Sequence, residues 1–400
     1  MVVTKHLLFA IVQGALCLTI LVQAQNQTGF ISIDCGTTGS RYTDDKTGIT
    51  YVSDTDFIES GENREILPAY KAQIDEQQFW NVRSFPEQIR NCYTLKPSQG
   101  NDTRYLIRAR FMHGNYDNKG VGPAFDLHLG ADFWDTVKFK DASSTISKEI
   151  IHVPSSDHIH VCLVNTGRGT PFISVLELRP LENDTYVSET GSLQLLHRYD
   201  FGSTIDQRLV VRTKPDSEGK ITVWFNNTEN STLPPLVNAL EVYQLKDTSG
   251  QETYQTDVDA ILKIKSAYEV KRNWQGDPCL PIAYLWDGIG CNYDGNNPPR
   301  IISLDLSNNS LTGTVPEFLA QLSFLRVLNL RRNNLMGPLP DIKGSKDGFT
   351  FSVDNNVSRN QTASPPTSET SSSPDYSCKM HNFVIPLVTS VGGFLLNFVL

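Results

Sequence analysis

Basic runs are missing from this sequence: nowhere do more than two Lys or Arg residues stand together. Lys and Arg number 35 against 44 Asp and Glu, a net charge of −9. Binding to phosphate backbones needs clustered cations, so nucleic acid is excluded as a partner. Ordered catalytic sets are missing too, with no nucleophile elbow and no His-Glu-x-x-His segment. The eight His are scattered, and His158 and His160 occupy alternating strand positions, which are more often structural than ligating. Two neighbouring Cys without a second pair or nearby His argue against zinc. The reading therefore includes no metal, no cofactor and no enzyme. A glycosidase with two carboxylates is the enzyme alternative, but no motif selects a pair from so many acids.

What is present sets a compartment. Residues 1–24 read as a signal peptide: Lys5 and His6 give a basic start, Leu7 to Val22 are apolar, and Val22-Gln23-Ala24 offers a cleavage site. Removing it takes away Cys17 and leaves Cys35, Cys92, Cys162, Cys279, Cys291 and Cys378, which can pair in the secretory pathway. Asn-x-Ser/Thr acceptors stand at Asn26, Asn101, Asn183, Asn226, Asn230, Asn308, Asn356 and Asn360. Together with the leader they suggest a glycosylated exterior surface.

The body reads as mainly β. In "YLIRARF" Tyr105, Ile107, Ala109 and Phe111 share one side, with Leu106, Arg108 and Arg110 on the other. "AFDLHLG" places Phe125, Leu127 and Leu129 together. Short alternating strands separated by turn clusters predict an antiparallel sandwich over residues 29–182. An internal repeat follows: "PFISVLELRPL" from Pro171 returns as "PLVNALEVYQL" from Pro235. Residues 186–247 thus form a second, related lobe, too short to close a comparable sandwich alone.

Residues 254–342 change character. A helix is predicted with Thr256 as its cap, Asp257 and Asp259 in its first turn, and Ile261, Ile264 and Tyr268 on one face. Then "ISLDLSNNSLTGTVP" (Ile302 to Pro316) recurs 24 residues later as "RVLNLRRNNLMGPLP" (Arg326 to Pro340), the leucine-rich-repeat pattern. The leucines face a stacked core and the Asn side chains bond the turn backbone. Cys279 and Cys291 are expected to close a loop around Trp286 as the front cap. No rear cap is visible after Pro340. Residues 343–382 form a Ser/Thr/Pro-rich stalk, and 383–400 an apolar membrane segment.

The stretches "FWNVRSFPEQIRNCYTLKP", "YLIRARFMHGNYDN", "FDLHLGADFWDTV", "HVCLVNTGRGTPFISVLELRPL" and "VKRNWQGDPCLP" resemble the ectodomain of plant malectin-like leucine-rich-repeat receptor-like kinases, the group of the symbiosis receptor-like kinase. The resemblance runs from Phe30 to Pro340. It implies tandem malectin-like β-sandwich lobes, a short α/β leucine-rich-repeat part, a membrane anchor and a cytoplasmic kinase, acting in perception at the cell surface. Gly276-Asp277-Pro278-Cys279 matches the family's "GDPC" motif, which the family links with release of the malectin-like portion. No kinase signature occurs in these residues, and the second lobe is compressed, as in a truncated or alternatively spliced, non-functional product.

The functional expectation is a surface recognition protein for a cell-wall glycan, a peptide or a co-receptor kinase. Tyr105, Tyr116, Asp117 and Trp134 are the candidate ligand contacts, since sugars stack on aromatics and bond to neighbouring carboxylates. Core packing is the more ordinary role for such residues. Two anchors fit the apolar tail. One is a shortened transmembrane helix. The other is a lipid-anchor signal, with small residues Ser371 to Ser373 and a spacer from Pro374 to Asn382. Either would hold the protein at the outer face of the plasma membrane.

Overall fold

The computed structural model describes residues 27–338 apart from short stretches, the longest being 201–207 and 226–231, together with 349–354, 357–358 and 394–399. The expected leader lies outside the described residues, and of the expected stalk only 349–354 and 357–358 are described, where they form strands rather than a structureless stalk.

The alternation in the sequence becomes the two faces of a sandwich. Tyr105, Ile107, Ala109 and Phe111 on strand Tyr105–Met112 are fully buried, while Arg108 and Arg110 turn outward. This strand lies between Thr145–His152 and Val175–Pro180, both antiparallel to it. The facing sheet has four antiparallel strands in the order Arg90–Leu95, Ile159–Arg168, Ala124–Leu129 and Asp132–Lys138. Between the sheets, Phe111, Phe125 and Phe172 meet edge to face at 5.7–6.3 Å, a favoured aromatic geometry. Cys92 and Cys162 lie opposite each other on neighbouring strands and are disulfide-bonded. Cys35 is free and buried.

The second repeat unit does not stand apart. Strand Ser192–Asp200 pairs with Thr145–His152 through Ile151 and Leu193, and Ala239–Lys246 pairs with Ser192–Asp200 in turn. The remnant therefore prolongs the first lobe's outer sheet, which reaches ten strands. The described part of the apolar tail, Phe394–Val399, is extended and pairs between Arg208–Thr213 and Ala239–Lys246. Among the described residues no helix is long and apolar enough to cross a membrane. Residues 383–393 lie outside the described residues.

Helix Gln255–Ala267 opens the last part. Thr256 is not its cap: the N-cap residue is Tyr254, without a side-chain cap bond, and Thr256 is exposed in the first turn. The first-turn acid has a different use. Asp257, fully buried, accepts both Arg300 guanidinium bonds and the Ile301 N–H, all at 2.9 Å, fixing the helix to the first repeat strand. Charge-assisted forks of this kind are the stronger hydrogen bonds.

Strands Arg300–Asp305 and Val327–Asn329 run parallel, with Leu304, Leu306, Leu328 and Leu330 in the core beneath. The solenoid also continues beyond its expected end. Thr350–Ser352 adds a further parallel strand, Phe349, Phe351 and Val353 pack on the repeat core, and Asp354 accepts the Asn333 N–H at 3.1 Å. The sequence pattern fades there because two Phe and a Val replace the leucines. At the front, Cys279 pairs with Cys291, and Trp286 stacks on Trp274 at 5.2 Å.

Asn333 stitches successive coils: its amide donates to Leu306 O and Leu330 O at 2.9 Å, and its Oδ1 accepts the Asn309 and Leu311 N–H groups. Asn333→Ala leaves these groups unpaired and is expected to cost about 2–4 kcal/mol. Exposed Arg331→Ala should stay within about 0.5 kcal/mol. Denaturant midpoints of the two variants check the contrast.

Candidate functional site

The residues singled out from sequence do not form one site. Trp134 is 1% exposed and Tyr105 is fully buried, its hydroxyl donating to Gly100 O at 2.9 Å. Tyr116 is 9% exposed, shares a hydrogen bond with Ser84 and packs beside His113 and Phe172. Only Asp117 nearby reaches the surface, where it accepts the Lys119 N–H. All three aromatics sit on the inward phase or edge of the sandwich, so the packing role prevails over sugar stacking. Of the glycosylation acceptors, Asn101 and Asn308 are exposed. Asn26, Asn183, Asn226, Asn230, Asn356 and Asn360 lie outside the described residues.

Two other places have the features of a site. The first is on the outer face of the ten-stranded sheet, where outward side chains of adjoining strands form a ladder of charges. Arg108 bonds Glu149 at 2.8 Å and Glu177 at 3.2 Å. Arg198, from the second repeat unit, bonds Glu149 at 3.0 Å and Glu241 at 2.6 Å. Burial alone would lower the Arg198 pKa, but the two carboxylates more than offset it and hold the guanidinium well above its ordinary value. Tyr186 donates to Glu241 at 2.8 Å and meets Tyr243 edge-on at 5.5 Å. Arg198, Tyr186 and Tyr243 line a groove of about 570 Å³ together with Leu106, Ile151 and Leu181. Planar polar groups are thus held rigidly beside aromatic and aliphatic surface.

The second place is the seam between sandwich and repeats, centred on Gly276-Asp277. Gly276 has φ +70°, and a Cβ there would sit 2.8 Å from Arg90 Nη2 and 2.9 Å from Cys92 Sγ. Asp277 accepts the N–H groups of Thr253, Cys279 and Leu280 at 2.7, 2.9 and 2.8 Å. Gln275 reaches back to accept the Cys92 N–H at 2.9 Å. Arg90, 3% exposed, donates to Gly130 O and Leu280 O and lies over the Tyr284 ring. Burial lowers its pKa to about 10 despite the nearby Asp277. Lys265 closes the rim through Glu59 at 2.7 Å, above a cavity of about 220 Å³ bordered by Thr94, His158, His160 and Trp274. Burial, with Arg90 and His158 adding to it, lowers the His160 pKa to about 3, so that ring stays neutral.

The seam was legible as a motif. The groove was not, because Arg198 and Tyr243 come beside Leu106 and Ile151 only through pairing across distant strands. Outward Arg108 and Arg110 amid apolar neighbours were its one signal.

The malectin-like domain model matches residues 33–223, and the leucine-rich-repeat model matches 300–322 and 324–344. A leucine-rich repeat receptor-like protein kinase of Arabidopsis thaliana is 37% identical over 423 residues, 78% of this chain and 48% of the relative. A second Arabidopsis LRR receptor-like serine/threonine-protein kinase is 38% identical over 426 residues, 78% of this chain and 49% of its own length. The chain thus spans about half the length of these relatives. Among solved structures, the ANX2 ectodomain from Arabidopsis thaliana aligns with a TM-score of 0.36 and 13% identity, covering 53% of this chain and 65% of that one.

Trp134→Ala is expected to cost about 3–5 kcal/mol of sandwich stability, as for a buried aromatic. Gly276→Ala combines a left-handed backbone with two close contacts and should cost at least about 2 kcal/mol. Calorimetry checks both, and the second should split one unfolding transition into two.

Proposed function

From a chain that belongs to the ectodomains of malectin-like leucine-rich-repeat receptor-like kinases, we infer an extracellular recognition module that binds its ligand without transforming it. The observation that carries this reading is the groove of Tyr186, Arg198 and Tyr243, with Glu241 bonded to Tyr186 and Arg198 beside it. It lies on a sheet face, where backbone groups are already spent in the ladder, so side chains must do the recognising. A peptide gains most from a free strand edge, which this face does not offer. Charges of the two signs are paired across it, which disfavours strongly anionic ligands. Fixed carboxylates and a guanidinium suit hydroxyls, and the Tyr186 ring suits the apolar face of a sugar. The ligand class supported best is a neutral cell-wall oligosaccharide.

On this reading the protein works at the outer face of the plasma membrane, and the repeats present an adjoining surface to a co-receptor kinase. A peptide ligand is the second reading, favoured by the aliphatic floor of Leu106 and Ile151.

Titration calorimetry of the secreted full chain with cellotriose and with trigalacturonate tests the proposal. Binding of the neutral sugar, weakened about tenfold by Tyr186→Ala, is expected, with the acidic sugar binding less well. The sugar should be recovered intact, and shortened products would contradict the non-catalytic reading.

A further inference from the structure

Helix Gln255–Ala267 uses two of its sides. Ala260, Ile261 and Ile264 are buried in the repeat core. Val258, Leu262 and Lys265, spaced by four and then three residues, share another side, as such positions do on a helix. That stripe lines the seam cavity of about 220 Å³ together with Phe57 and Ile58 of the sandwich and the rings of Trp274 and Trp286. A cavity of about 150 Å³ with apolar walls already admits benzene.

We propose that this cavity is a second binding site, which takes a free, neutral aromatic ring compound carrying one N–H or O–H, and that its occupant bridges the sandwich and the helix.

The ring follows from the walls. The Trp274 N–H is spent on Asp287 O and the Trp286 N–H on Gln275 O, both at 2.9 Å, so these two side chains offer the cavity carbon surface. With Phe57 they favour edge-on or offset contact with a further ring.

Neutrality follows from the charges. Lys265 donates to Glu59 at 2.7 Å and to Trp274 O at 3.0 Å. His158 is bound to Asp157, and His160 Nδ1 lies 3.1 Å from Thr94 Oγ1. Asp56 also lines the cavity; it is exposed and has no ion pair among the described residues. Its carboxylate accepts an N–H or O–H and repels an anion, while Lys265 on the same rim disfavours a cation.

An occupant touching Phe57 and Ile58 on one part and Val258 and Leu262 on the other adds to the coupling that Gln275 and Gly276 already provide. The groove on the outer sheet shares no lining residue with this cavity, so the site is independent of the sugar reading.

Titration calorimetry of the secreted full chain with indole, and with benzoate as an anionic ring, tests the proposal. One indole per chain is expected, with a dissociation constant of about 1 mM or tighter, and benzoate at least about tenfold weaker. Leu262→Trp, which places a ring in the cavity, should weaken indole at least about tenfold. Hydrogen exchange of the wild-type chain supplies an arm that needs no variant to fold: indole should raise the protection of peptides covering 55–60 and 256–266, while 192–200 holds steady. The proposal is overturned by the absence of saturable indole binding, by binding that leaves both peptides unprotected, or by undiminished binding in folded Leu262→Trp. Benzoate binding as tightly as indole overturns the neutral class. N-acetyltryptophanamide binding more tightly than indole overturns the free compound in favour of a peptide side chain. No arm involves sugar, so failure here leaves the recognition reading standing.

Discussion

One sheet edge governs how this molecule is assembled. Strand Arg90–Leu95 ends the inner sheet, and an uncovered edge offers unpaired backbone groups to any passing strand. Here the edge is sealed from two sides. The Cys92 N–H is taken by the Gln275 side chain and the Thr94 N–H by Phe57 O. The seal brings the segment between helix and repeats against the sandwich. Gly276 is the residue that can approach so closely, and Asp277 gathers the turn that follows. Burying the Arg90 guanidinium against carbonyls rather than a carboxylate is costly, and it makes sense only where the two parts stay together.

That seal gives the ends of the molecule a fixed relation. The groove lies on the outer sheet and the cavity lies under the seam. A ligand on the outer face and a partner on the repeats would be presented at a set spacing.

Much of the architecture was legible because it depends on local periods. Alternation located the Tyr105 and Ala124 strands, and the 24-residue repeat located Leu304 and Leu328. Non-local facts were hidden. Cys92 and Cys162 are 70 residues apart, and only strand register brings them together. The helix start was misread because Asp257 serves Arg300 across the fold, while the real N-cap position carries Tyr254. The third repeat strand was missed because Phe349 and Phe351 stand where leucine was sought. Aromatics chosen for exposure proved to be core, since turn proximity in sequence says little about which way a ring faces.

The central claim is that a ligand is held intact on the outer face of a sandwich that carries no catalysis of its own. A crystal structure of the secreted full chain soaked with cellotriose addresses it most directly. The account predicts an uncleaved sugar lying on Tyr186, with hydroxyls toward Glu241 and Arg198. Density for sugar at another surface, or for a hydrolysed fragment, would contradict it.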